Sequence, residues 1–254
     1  MGAITAYIDV AQITLYVFWL FFAGLIYYLL QENKREGYPL ESDRSTNITV
    51  QGWPPIPSPK TFLLRDGRTV TAPNDARSAQ TLHAEPTGRW PGAPLEPTGN
   101  PMLDGVGPGA YADRADVADV TLEGDIKIVP LRVAHDFDVS GKDRDPRGMT
   151  VMGADGKLGG TVRDLWVDRS EMLFRYLEVD VTTPGGVRQV LLPINFSRID
   201  ARRVRVRALL AAQFGGVPTL RSPDTVTMLE EERIMAYYGA GTLYATPQRQ
   251  EPLL

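Results

Sequence analysis

The residues best placed for chemistry lie between Asp164 and Arg175, in the run D-L-W-V-D-R-S-E-M-L-F-R. In an extended strand a period of two puts Asp164, Trp166 and Asp168 on one face and Leu165 with Val167 on the other. Glu171 then falls in the connection to the next strand, near Asp168, and Arg175 lies on that next strand. Carboxylates gathered around one arginine titrate together, and partial burial raises some of their pKa values toward neutrality. Such a group can take up protons and pass them on through water. The same residues also read as a charged hairpin with a surface ion pair, which contributes little, and spacing alone favours this second reading. His135 beside Asp136 and Asp138 has the look of a metal corner, but a histidine in so ligand-poor a loop reads as a surface residue. Neither G-x-S-x-G, a Walker loop, H-E-x-x-H nor a dinucleotide fingerprint occurs. No catalytic residue and no metal site are therefore assigned.

Composition narrows the chemistry further. The 254 residues include no cysteine and two histidines, with 27 basic and 31 acidic side chains. Disulfide frameworks, thiolate clusters and cysteine nucleophiles are excluded. A net charge of -4 gives no bulk attraction for nucleic acid.

The elements that must position the acidic run divide sharply. Residues 1–31 contain one charged side chain, Asp9, and Val10 to Leu30 reads VAQITLYVFWLFFAGLIYYLL. About 20 such residues span the hydrocarbon of a bilayer, with Tyr16, Tyr27 and Tyr28 suited to its interfaces. A cleaved signal peptide wants basic residues before the run and small ones after it, whereas here the run ends in LLQENKRE. The sequence predicts a transmembrane helix over 10–31. Lys34 and Arg35 follow it and no basic residue precedes it, so residues 1–9 should face away from the cytoplasm and the body should lie inside it. The N-x-S/T triplets at Asn47 and Asn195 then lie on the cytoplasmic side and read as chance.

Residues 32–109 form an extended, proline-rich surface segment, since 12 of the 20 prolines fall between Gln31 and Gly109. Short strands are expected at Lys60–Leu64 and Arg68–Ala72 around Asp66-Gly67. Trp53, Ile56, Phe62, Leu63, Leu64 and Trp90 are more apolar than a solvated linker needs and suggest a partner surface. From Thr121 the pattern changes to strands at 126–133, 149–153, 158–168, 173–182, 187–194 and 204–209. Closely spaced strands with tight turns predict a small antiparallel barrel or sandwich. Arg202, Arg203, Arg205 and Arg207 charge one side of the last strand, opposite Val204, Val206 and Ala208. One further helix is expected from a Ser222 cap with Pro223 at its first position to about Tyr238, stopping at Gly239. The body spans 110–246, and 247–254 reads as a loose tail.

Four stretches resemble one family, the H subunit of the purple bacterial photosynthetic reaction centre. They are FWLFFAGLIYYLLQENKREGYPLE (18–41), PTGNPMLDGVGPGAYADR (97–114), VRDLWVD with Arg175 and YLEVD after it, and GVPTLRSPDTVTMLEEERIMAYYGAGTLYATP (216–247). The resemblance implies one transmembrane helix, a cytoplasmic mainly-β domain of the PRC-barrel type and one C-terminal helix. It implies a non-catalytic subunit in the photosynthetic inner membrane that caps the L and M subunits and supports proton transfer to the secondary quinone. Bacteriochlorophyll, bacteriopheophytin, quinones and non-haem iron would belong to partner subunits. A tetrahaem cytochrome subunit, a light-harvesting antenna and membrane lipids are further candidate partners, and nucleic acid is not one. By position Glu171 resembles the family's glutamate near that quinone, Asp168 the aspartate before it and Arg175 their basic neighbour, with Asp164 farther out. The family's surface proton entrance is an aspartate followed by two histidines. Here LEGDIKIVP offers Glu123 and Asp125 but no histidine. Tyr28, Lys34 and Arg35 are candidate lipid headgroup contacts. The alternative is a membrane-tethered PRC-barrel adaptor for another cytoplasmic partner.

Overall fold

The computed structural model describes residues 9–42, 45–74, 81–90 and 92–250, with side chains 41–49 left aside. Residues 1–8 and 251–254, which fall in the expected N-terminal segment and tail, lie outside the described residues, as does the side chain of Asn47. The chain divides into one unit of residues 1–80 with 89–92 and another of 81–88 with 93–254.

In the first unit, helix α1 runs Val10–Glu32 and none of its residues is buried. A helix apolar on every side belongs in a membrane or against partner helices. Asp9, the lone charge of this stretch, is its N-cap: Gln12 N–H donates to Asp9 Oδ1 at 2.8 Å, and Gln12 Oε1 accepts from the Asp9 amide. That satisfies two amide groups which hydrocarbon could not. Strands β1 (Leu40–Ser42) and β2 (Ser45–Val50) form one hairpin, and β3 (Lys60–Leu63) and β4 (Thr69–Ala72) form another. The second agrees with the sequence reading, with Gly67 at φ +82 in its turn.

In the second unit, β5 (Ala84–Pro86) pairs with β6 (Leu95–Pro97). The main sheet contains β7 (Ile128–Pro130), β8 (Thr150–Met152), β9 (Leu158–Asp168), β10 (Leu173–Thr183), β11 (Gly186–Pro193), β12 (Ser197–Ile199) and β13 (Arg203–Val206). Its order is β11-β10-β9-β8-β13-β12, with β7 paired to the far end of β9. The result is a half-barrel, antiparallel as expected except for the parallel β8–β13 pair. Strand β12 has no counterpart in the sequence reading, because three residues, one of them Arg198, carry no period.

The expected helix requires correction. It is α2, Met228–Tyr244, and its cap is Thr227 rather than Ser222. Thr227 Oγ1 accepts from the Glu230 amide, and the Glu230 carboxylate accepts from the Thr227 amide, a capping box that outcompetes the serine–proline start. Nor does Gly239 stop it. A Cβ at Gly239 would sit 2.2 Å from the Pro108 carbonyl oxygen, and one at Gly241 would sit 2.5 Å from that of Ala208, so these glycines permit close packing mid-helix. The packed face carries Ile234, Tyr238 and Ala240 into a core with Trp166, Leu177 and Phe214. Tyr238 lies 5.6 Å from Phe196 and 6.4 Å from Phe214, centroid to centroid. Pro247–Arg249, expected to be loose, forms a turn in which Arg249 donates to the carbonyls of Arg207, Ala208 and Gly241.

Gly241→Ala should destabilise the body by about 1–3 kcal/mol through overpacking. Gly24→Ala, with nothing within 4 Å, should leave it unchanged. Urea unfolding of the detergent-solubilised chain checks both.

Candidate functional site

The turn between β9 and β10 is built around Asp168, whose side chain is fully buried. Its Oδ1 accepts from the amides of Ser170 and Glu171, each at 3.0 Å, and its carbonyl accepts from Met172 N–H. Met172 takes φ +54, a left-handed conformation rare outside glycine, which closes the turn. Glu171 is thereby held at the exposed apex. The other oxygen, Asp168 Oδ2, has no hydrogen-bond partner among the described residues but lies 3.5 Å from Lys127 Nζ.

Lys127 is shared. Its ammonium also lies 3.6 Å from Asp119 Oδ2 and 3.7 Å from Glu171 Oε1. It sits at the base of a short hairpin: Lys127 N–H donates to the Asp119 carbonyl, and Val120 bridges Ile126. Burial works to lower the Lys127 pKa. Attraction by Asp168, then Asp119 and Glu171, outweighs it, so the net direction is up.

Arg175 continues the series. The β9–β10 register passes from Phe174↔Val167 to Tyr176↔Trp166, so Arg175 is the extra residue of a bulge. Bulges re-aim side chains. Here the guanidinium lies 3.8 Å from Glu171 Oε2 and 3.9 Å from Glu231 Oε2. Tyr176 Oη donates to Glu231 Oε2 at 2.7 Å. Burial pushes the Glu231 carboxyl up, against the Tyr176 hydrogen bond and the charges of Arg175 and Arg114. Burial also pushes the Tyr176 hydroxyl up, with Glu231 adding to it. A cleft of about 450 Å³, lined by Arg114, Arg175, Glu231 and Glu232, opens beside this pair.

The structure thus brings Asp168, Glu171 and Arg175 together and adds Lys127, Asp119, Glu231 and Tyr176, which the sequence reading did not single out. A basic residue between two acidic turns was the available signal for Lys127. For Glu231 the signal was its place one residue after the capping Glu230.

Asp164 belongs to a different cluster. It faces Glu178 directly across the β9–β10 ladder, a like-charge pairing that would destabilise the sheet alone. Arg132 Nη1 resolves it, at 3.1 Å from Asp164 Oδ2 and 2.6 Å from Glu178 Oε2, while its Nε donates to Asp224 at 2.9 Å. Trp166 Nε1 completes the cluster by donating to Glu178 at 2.9 Å. Glu123 and Asp125 occupy the exposed tip of the 119–127 hairpin. Among the described residues no group of His, Asp or Glu side chains is arranged to hold a metal ion.

The three headgroup candidates lie at the foot of α1. Tyr28 is exposed, with Lys60 Nζ 5.7 Å from its ring centroid. Lys34 is buried and donates to the carbonyls of Gln51 (2.5 Å) and Pro54 (2.6 Å). Arg35 pairs with Glu32 and donates to the carbonyls of Ser58 and Ala72.

A half-barrel with a helix closing its core is the PRC-barrel arrangement, and residues 140–213 match the PRC-barrel domain family. Residues 2–133 match the photosynthetic reaction centre H-chain N-terminal region, more than half of the chain. The protein belongs to the reaction-centre H-chain family, a structural subunit of a light-driven complex, and is anchored by its apolar N-terminal helix.

Because the folded-state pKa of Glu231 exceeds its unfolded value, its contribution to stability is full below the ordinary glutamate value of 4.5 and is lost as pH rises through the folded value. Glu231→Gln keeps an acceptor for Tyr176 but cannot ionise. Its stability relative to wild type should therefore rise with pH above that point. A urea midpoint difference that stays constant with pH would contradict this.

Proposed function

We propose that this chain caps the cytoplasmic face of a reaction-centre core made of L and M subunits and carries protons toward the secondary quinone, with the N-terminus of α1 periplasmic. Pigments, quinones and non-haem iron reside in the partners, and the chain itself supplies acids, bases and fixed charge. The observation that carries this reading is the series Asp119/Asp168–Lys127–Glu171–Arg175–Glu231, whose one apex carboxylate, Glu171, is exposed for a partner to cover.

A buried quinone that accepts two electrons needs two protons, and a bare charge crossing low-dielectric protein is too costly. Carboxylates held 3.5–3.9 Å from fixed cations are stations between which protons move by short steps through water. Lys127 and Arg175 keep their charge, orient Glu171 and offset the repulsion between neighbouring acids. Protons enter from the Asp119 and 119–127 hairpin side, where Glu123 takes the place of the family's aspartate and Asp125 or a carboxylate of a partner subunit substitutes for the missing histidines. Trp53 and Leu63, about three-quarters exposed, provide apolar surface for the L and M subunits.

In the purified complex, Glu171→Gln should slow the proton-coupled transfer of the second electron by roughly 10- to 100-fold and leave the first transfer intact. Flash-induced absorbance changes across pH measure both. Kinetics equal to wild type would remove Glu171 from the route, and a chain that purifies without near-infrared pigment would favour the adaptor reading.

A further inference from the structure

Arg203 and Arg205 of β13, and Arg207 just past its end, take no part in the proton series. Arg203, Arg205 and Arg207 point outward while Val204, Val206 and Ala208 are buried. Together with Arg198 of β12 and Arg249 they line a groove of about 970 Å³ whose wall includes Phe196. The groove lies along the edge of the sheet, because β12 is the last strand in its order.

Its charge is poorly balanced. Asp200 pairs with Arg205 at 2.5 Å and approaches Arg198 at 3.8 Å. Arg249 is bonded to three main-chain carbonyls, which fix its guanidinium without cancelling its charge. Among the described residues no carboxylate lies within ion-pair distance of Arg203 or Arg207. A chain of net charge -4 thus concentrates positive potential in one groove, and such a field gathers anions. Guanidinium forks suit carboxylates in particular.

The pitch selects among anions. Alternate residues of a strand stand about 6.6 Å apart, which is also the spacing of carboxylates at every second position of an extended peptide. We propose that this groove docks an extended acidic segment of a partner protein, with alternate carboxylates against Arg203 and Arg205 and the segment continuing past Arg207. This surface is independent of the proton route.

The test is a fluorescence anisotropy titration of the full chain in detergent with a labelled octapeptide of alternating Asp and Thr. An octapeptide with its four Asp contiguous, an oligo(dT) strand and phosphatidylglycerol vesicles serve as rival probes. The alternating peptide should bind saturably, weaken with salt and bind several-fold more tightly than the contiguous one. Because two exposed guanidinium contacts are lost, Arg203→Ser/Arg207→Ser should weaken it about tenfold without moving the unfolding midpoint. Arg203→Lys/Arg207→Lys should retain most of the affinity. Absent or unsaturable binding, equal affinity for the two peptides, no loss in the serine variant, or tighter binding of oligo(dT) or vesicles would overturn the proposal.

Discussion

The burial of one carboxylate, Asp168, constrains the whole site. An ionised carboxylate taken out of water must find hydrogen bonds and a counter-charge or take up a proton. Here the two requirements are divided between its oxygens: Oδ1 takes the amides of Ser170 and Glu171, and Oδ2 faces Lys127. The first interaction fixes the β9–β10 turn and presents Glu171 at its apex. The second ties the 119–127 hairpin to that turn and brings Asp119 alongside. Had Asp168 been exposed, neither the turn nor the hairpin would have had a reason to hold Glu171 between two cations.

A similar logic governs the foot of α1. The basic residues that follow the helix do more than end an apolar run. The buried Lys34 ammonium and the Arg35 guanidinium collect carbonyls from Gln51, Pro54, Ser58 and Ala72, so a proline-rich stretch with few ladder hydrogen bonds acquires fixed geometry. Proline removes donors but leaves acceptors, and cations are the natural partners of surplus carbonyls. Tyr27 against Trp53, 5.5 Å between centroids, adds an apolar contact.

Much of this was legible in the residues, for physical reasons. Strands β9 and β10 followed from β-branched runs with clear turns, and their register brings Asp168, Glu171 and Arg175 together as the spacing implied. The start of α2 was misplaced because two capping signals lie five residues apart, and only the Thr227–Glu230 pair closes reciprocally. Its end was misplaced because Gly239 and Gly241 serve close approach to the carbonyls of Pro108 and Ala208 rather than termination. Asp164 looked like a member of the proton cluster from its period-two alignment with Asp168. The register instead places it opposite Glu178, and the Arg132 that neutralises both comes from a loop more than 30 residues earlier. Lys127 and Glu231 were harder to find for the same reason, since long-range partners leave only a faint mark in local spacing.

The central claim is that the shared Lys127 ammonium holds Glu171 ready for proton transfer. The most direct measurement is the rate of second-electron transfer in the intact complex carrying Lys127→Met, beside Lys127→Arg. Loss of the shared cation should slow that step roughly tenfold or more through misplacement of Glu171, with the arginine variant largely restoring it. A Lys127→Met complex that transfers the second electron at the wild-type rate would contradict the account.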